Sequence, residues 1–294
     1  MTNYLLITIS SILCAISFSF QNKYQKIAGN SQKASMLYNL LLGLFSVVIL
    51  FVVNGFKIEI TPYSAVMSFL CSFLVLMYTV IGFKILKLGG MTLFTLFLMS
   101  GGMIVPYVWG LLFLDESFSV LRTVGLICVL AAVVLSNTNK NKGSFKLTLL
   151  CISIFFINGF TSVVSKVHQV ETVYETVSTD GFVMLMNIAK VIMCVVILGL
   201  GMLKKEDDNI SVKKIAFTKG IFGVVLLSAI CGIVGSVALL RGAKELPATV
   251  LYPFSTGGTI IFSSMMDYFA FKEKLTKRLI ASVVICFTGT LLFL

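Results

Sequence analysis

The sequence predicts an all-α, polytopic membrane protein with ten transmembrane helices arranged as two inverted five-helix repeats. Three observations predict this fold class: the composition, the spacing of the apolar runs and an internal similarity between the two halves. Of 294 residues, 58% are hydrophobic and only 12% are charged, whereas a soluble domain has about 25% charged residues. A chain with so few polar groups cannot cover a water-facing surface, which excludes a soluble enzyme.

Apolar runs between charged or turn-rich breaks define ten candidate spans, each about long enough to cross a bilayer with some tilt. The first lacks a basic leader and a small-residue cleavage site, so we interpret it as a span rather than a signal peptide. In chain order the spans are Tyr4–Phe20, Ala34–Val53, Tyr63–Phe83, Met91–Leu114, Phe118–Ser136, Leu147–Ser165, Gly181–Met202, Ile215–Leu240, Ala248–Phe271 and Leu279–Leu294.

The two halves of the chain, residues 1–139 and 140–294, resemble each other. A shift of 148 aligns Met36–Asn39 with Met184–Asn187. A shift of 157 pairs Lys84 with Arg241, Lys87 with Lys244, Thr92 with Thr249, Phe97 with Phe254, Gly101 with Gly258, and Glu116 with Glu273. Five spans is an odd number, so the second half enters the membrane upside down, as in many secondary transporters. A duplicated bundle that moves nothing is the alternative.

An acidic turn follows the fourth span of each half, Leu114–Phe118 in the first and Phe271–Leu275 in the second. These turns, with the two five-helix halves, resemble the EamA-type branch of the drug/metabolite transporter superfamily and its L-G-E-x-L/P turn. Asp115 and Lys272 stand where that motif has glycine. The resemblance implies a ten-helix transporter with a central cavity and leaves the substrate open.

The basic residues are distributed unevenly between the two predicted sides. One side carries 17 of the 23 Lys and Arg and the other carries 5, with Lys190 inside a span. The positive-inside rule makes the basic side cytoplasmic and places both termini outside. The family resemblance implies cytoplasmic termini, so the two inferences conflict. The net charge of +11 is therefore explained by basic loops, and we expect no nucleic-acid partner.

Lys190 lies near the middle of the seventh span, where a lysine costs about 2.5–3.5 kcal/mol on insertion scales. Asn187 precedes it by one helical turn and Cys194 follows by one turn. We predict that Lys190 lines a cavity and attracts an anionic substrate group. A structural lysine bound to carbonyl groups is the alternative. The residue that corresponds to Lys190 in the first half is Leu42, so the repeat supplies no second lysine.

The remaining candidate site residues are polar or aromatic groups within spans. Interruptions by glycine and proline in the fourth and ninth spans indicate a midplane site, although close helix packing also explains them. The predicted cavity residues besides Lys190 and Asn187 are Asn39, Asn158, Tyr107, Trp109, Tyr252, Ser255 and Thr256. Asp267 is a candidate coupling or gate residue. His168, the one histidine, is predicted to lie in a loop.

The sequence thus predicts a secondary-active transporter of small polar or amphipathic metabolites, such as amino acids, acting by efflux or exchange. A proton or counter-substrate would supply the driving force. The alternatives are an exporter of hydrophobic cations or drugs and a non-transporting membrane scaffold. We expect no enzyme activity, cofactor or metal site, a location in the lipid bilayer of the bacterial cytoplasmic membrane, and a monomer or homodimer.

Overall fold

The computed structural model describes residues 2–29, 31–136, 145–200, 220–271 and 277–293, and this part of the chain is helical without a strand. Its helices are α1 (Thr2–Ala28), α2 (Gln32–Val53), α3 (Pro62–Phe113), α4 (Val120–Ser136), α5 (Phe145–Val170), α6 (Thr179–Gly199), α7 (Ile221–Glu245), α8 (Ala248–Phe271) and α9 (Lys277–Leu291). Six helical segments are long and apolar enough to cross a membrane, which agrees with the predicted class of integral membrane protein.

Three helices begin at residues that cap them. The Ser31 side chain accepts a hydrogen bond from Ala34 N at the start of α2, and the Thr61 side chain accepts one from Ser64 N at the start of α3. Ser178 caps α6 through Gly181 N at 3.1 Å. Hydroxyl caps of this kind satisfy amides that have no partner within the helix.

Helix α3 contains both the third and the fourth predicted spans, and helix is also assigned to the segment between them. The helical backbone is continuous over 52 residues, which is about 78 Å if straight and far more than a bilayer thickness. Its first part runs antiparallel to α5, with Cys71 beside Ser165 and Ile85 beside Ile154. Its last part runs parallel to α5. The helix therefore reverses direction between these two parts, and it supplies both predicted spans.

The helices pack in pairs around a central region. Helix α1 contacts α7 and α8, and α5 contacts both parts of α3. Helix α2 lies against α6, and α4 against α9. At one end of the molecule, Ile7 of α1 packs in one apolar cluster with Ala243, in the last turn of α7, and with Leu246 of the α7–α8 turn. The start of α1, the α3–α4 turn and the α7–α8 turn therefore lie on the same side.

Several interhelical contacts occur twice, at positions related by shifts of 148 and 157. Ser17 Oγ lies 3.0 Å from Ser228 Oγ, and the related Cys71 Sγ lies 3.4 Å from Ser165 Oγ.

Glycine contacts show the same relation. A Cβ on Gly159 would lie 2.7 Å from Gly101 O, and a Cβ on Gly258 would lie 2.8 Å from Ser11 Oγ. Helices α4 and α9 approach closely at Gly125, where a Cβ would lie 2.8 Å from Gly289 O.

Candidate functional site

A cavity of about 390 Å³ lies among α1, α2, α3, α5, α6, α7 and α8. Its walls come from both halves of the chain, from Ser17 to Tyr78 in the first and from Thr161 to Tyr252 in the second. Most wall residues are apolar or carry hydroxyl groups. A volume of this size is within the range of small-molecule sites, about 300–1,000 Å³.

Lys190 is the one charged residue in the cavity wall among the residues that the structure describes. It lies on α6 and faces α2, where a Cβ on Gly43 would lie 3.4 Å from Lys190 Cε. Leu42, its counterpart at a shift of 148, also lines the cavity. The absence of a side chain on Gly43 leaves room for the lysine stem between the two helices.

Most polar groups of the wall already bind protein carbonyls. Tyr252 OH donates to Ser162 O at 2.6 Å, and Asn187 Nδ2 donates to Val183 O at 2.8 Å. Three wall groups, Lys190 Nζ, Tyr78 OH and Ser236 Oγ, have no hydrogen-bond partner in the described part of the chain. These three donors are therefore free to bind a ligand.

Of the predicted cavity residues, the structure places Lys190, Asn187 and Tyr252 in the cavity wall. The two other predicted asparagines bind backbone instead. Asn39 Nδ2 donates to Ser35 O at 3.0 Å within α2, and Asn158 Nδ2 donates to Leu98 O at 2.7 Å. Asn158 thus connects α5 to α3 rather than facing the cavity.

The remaining predicted residues lie elsewhere. Tyr107 packs in a core with its hydroxyl 2.9 Å from Thr123 Oγ1. The Trp109 ring contacts Phe113 at a centroid distance of 4.3 Å, and its buried Nε1 has no partner among the described residues. Ser255 and Thr256 are on α8 but are not part of the cavity wall. The side chain of Asp267 lies outside the described residues.

The prediction that His168 is a loop residue is wrong. It lies within α5, is 2% exposed, and stacks on Phe182 with the ring centroids 3.7 Å apart. Its Nε2 is 2.9 Å from Ser64 Oγ. Helix α5 runs to Val170 rather than ending at Ser165 as predicted, because the polar side chain of His168 has buried partners on α3 and α6.

Two charged residues that the sequence did not identify as site residues bind the turn between α7 and α8. Lys166, 4% exposed, donates to Ala243 O and, at 2.7 Å, to Leu246 O. Glu116 accepts hydrogen bonds from Ala248 N and, at 2.9 Å, Thr249 N.

Each of these charges complements the dipole of the helix end that it meets, a cation at the C-terminus of α7 and an anion at the N-terminus of α8. The acidic-turn motif singled out Glu116 in the sequence. No motif pointed to its partner across the molecule. Nothing in the sequence distinguished Lys166 from a loop lysine.

Comparisons with known proteins identify the fold alone. No family model matches the sequence, and no curated protein matches it. A solved structure described only as the crystal structure of a protein has a TM-score of 0.75 to this chain. The match covers 99% of this chain and 96% of that one, at 13% sequence identity. The complete helical arrangement is therefore shared with a solved protein.

Proposed function

We propose that this protein is a secondary-active transporter that moves a small metabolite by alternating access, by efflux or exchange. The observation that carries the proposal is the cavity among helices of both halves, with unpaired donors in its wall. A packed scaffold has no use for such a cavity, because interiors without ligands fill their space with side chains. No nucleotide-binding motif is present in the sequence, so an ion or counter-substrate gradient is the proposed source of energy.

The contacts that occur twice support an inverted repeat. In the proposed transporter, this repeat explains how the cavity opens to the two sides of the membrane in turn. The Ser17–Ser228 and Cys71–Ser165 pairs are exchanged by the same shifts that align the two halves in sequence. The Gly159–Gly101 and Ser11–Gly258 contacts are exchanged likewise. Two halves that pack through equivalent contacts can rock between mirrored states around a fixed site.

The acidic turn supports placing the chain near the EamA-type drug/metabolite transporters. Glu116, the acid of that turn, caps α8, a helix that contributes Tyr252 to the cavity wall. The turn motif thus has a structural role that connects the two halves. We accordingly propose that the protein lies in the bacterial cytoplasmic membrane, transports a small molecule, and is a monomer or homodimer.

Solute counterflow tests transport directly. Proteoliposomes loaded with excess unlabelled amino acids, organic acids or organic cations should accumulate the matching labelled solute for at least one class, and protein-free liposomes should not. No counterflow with any class would overturn the proposal and favour a scaffold.

Accessibility of the cavity tests alternation independently of the substrate. In a variant lacking the seven native cysteines, Ser236→Cys should react with a membrane-impermeant maleimide added to either side of oriented vesicles. Val234→Cys, on the exposed face of α7, is the matched control and should show no reaction from the aqueous phase. Reaction of Ser236→Cys from one side alone would contradict alternating access.

A further inference from the structure

Among the residues that the structure describes, the wall of the cavity carries one positive charge and no negative charge. Two acidic residues of the described chain have partners of their own: Glu116 binds the amides of α8, and Asp180 pairs with Arg241 at 2.7 Å. A lysine at this depth without a counterion is costly. We propose that the cavity binds a small organic monocarboxylate with an apolar body and no ammonium group, an inference that rests on the cavity being the substrate site of the proposed transporter.

The free hydrogen-bonding groups of the wall complement a carboxylate. Lys190 Nζ, Tyr78 OH and Ser236 Oγ are donors without protein acceptors in the described chain. An ionised carboxylate is an acceptor only, and its two oxygens accept several hydrogen bonds. The one positive charge of the wall balances one carboxylate, and the donors that line the same cavity are available to its oxygens. A dianion would leave one negative charge uncompensated in the cavity.

The same wall disfavours the ammonium group of an amino acid. An ammonium group donates three hydrogen bonds and requires acceptors, preferably a carboxylate. In the part of the cavity wall that the structure describes, no aspartate or glutamate is present, so the side-chain acceptors are neutral hydroxyl and amide oxygens. Lys190 also repels a second cation. Buried polar groups without partners give strong discrimination between similar ligands. We therefore expect zwitterions to bind more weakly than the matching carboxylate, and amines to bind least.

The rest of the wall suits an apolar body of modest size. Leu42, Val75, Ile233 and Leu239 contribute aliphatic side chains. The volume of about 390 Å³ is at the lower end for small-molecule sites. A short branched or straight carbon chain fits this combination better than a sugar, which would require many more polar partners.

Three compounds with the same branched carbon body separate the classes: 4-methylpentanoate, leucine, and 3-methylbutylamine. Calorimetric titration of the protein in nanodiscs should show binding of the carboxylate, binding of leucine weaker by about tenfold or more, and none of the amine. Equal or tighter binding of leucine or the amine overturns the inference. So does the absence of binding by every straight-chain carboxylate from acetate to octanoate together with 4-methylpentanoate.

Substitutions of Lys190 test whether its ammonium group binds the carboxylate. Lys190→Met should weaken carboxylate binding about tenfold or more, and Lys190→Arg should retain it. Lys244→Met removes an exposed lysine outside the cavity and should bind as the parent protein does. Unfolding curves establish that each variant is folded. Unchanged carboxylate binding by a folded Lys190→Met protein contradicts the inference.

The outcomes separate this inference from the transport proposal because binding is measured without transport. A protein that binds monocarboxylates in nanodiscs but shows no counterflow keeps the inference and overturns the transporter. Counterflow of a zwitterion or cation, without carboxylate binding, supports the transporter and overturns the monocarboxylate inference.

Discussion

Asp115 adopts a left-handed backbone conformation, with φ of 51°. This is the position at which the EamA-type turn motif has glycine, and glycine is the residue that adopts positive φ without steric cost. Aspartate is among the few other residues that tolerate the conformation, whereas a β-branched residue does not. The departure from the motif is therefore compatible with the same turn.

We expect Asp115→Val to destabilise the protein by about 1–2 kcal/mol and Asp115→Gly to be tolerated. The reason is that the β-branched side chain of valine clashes with the backbone when φ is positive. Thermal and denaturant unfolding of the purified variants in detergent measures the difference. Equal stability of the two variants would show that residue 115 does not require the left-handed conformation.

Residue-level predictions from the sequence were least successful for charged groups near helix ends. Lys166 and His168 follow an apolar run, and both were predicted to lie outside it. Their partners are Ala243 O, Leu246 O and Ser64 Oγ, which are distant in sequence. Hydropathy describes a residue by its own polarity and contains no information on such partners. Lys190 was identifiable because apolar residues flank it on both sides.

Close helix contacts at glycine dominate the interface between α3 and α5. A Cβ on Gly101 would overlap the carbonyl oxygen of Phe155, so neither helix can adjust by moving a side chain. Gly223 on α7 has open space around it, with nothing within 4 Å of its added Cβ. The two positions provide a matched comparison of glycine in a packed and an unpacked helix.

Gly101→Ala should destabilise the fold by more than about 1 kcal/mol, because overpacking forces backbone shifts. Gly223→Ala should be neutral or stabilising by up to about 1 kcal/mol, since alanine favours the helix. Unfolding midpoints in one detergent give both values. If the two substitutions had the same effect, the close approach of α3 and α5 at Gly101 would be wrong.

At the level of helices, the apolar runs predicted the positions of most elements, because a span must be apolar and about 20 residues long. They did not predict the continuity of α3. Charged and glycine residues between Phe83 and Met91 are typical of a loop, whereas the structure assigns helix through the segment in which the chain reverses direction.

At the scale of the whole molecule, the sequence predicts one strongly basic side and one side with few basic residues. The basic segments on one side contrast with the α5–α6 loop, which contains Glu171 and Glu175 and no lysine or arginine between Val170 and Thr179. The positive-inside rule therefore predicts that this loop faces the outside, on the side of the termini. The family resemblance predicts the opposite orientation.

Labelling of introduced cysteines distinguishes the two orientations. In a variant without native cysteines, Val173→Cys, at a side chain that is 82% exposed, should react with an impermeant maleimide in intact cells. Asn209→Cys, in the basic segment, should react only after permeabilisation. The reverse pattern would overturn the charge-based orientation and support cytoplasmic termini.

The α7–α8 turn has a consequence for the lipids that the protein tolerates. Every backbone amide from Leu246 to Leu251 is accounted for within the chain: Leu246 N binds Gly242 O, Ala248 and Thr249 bind Glu116, Val250 and Leu251 bind Pro247 O, and Pro247 has no N–H. Most turns of membrane proteins need water at such groups and so remain at the headgroup level. This turn needs no water at its amides, but the exposed side chains of Arg241, Lys244 and Glu245 beside it carry charges that are costly in hydrocarbon. A bilayer with longer acyl chains should therefore thin around the turn rather than enclose it.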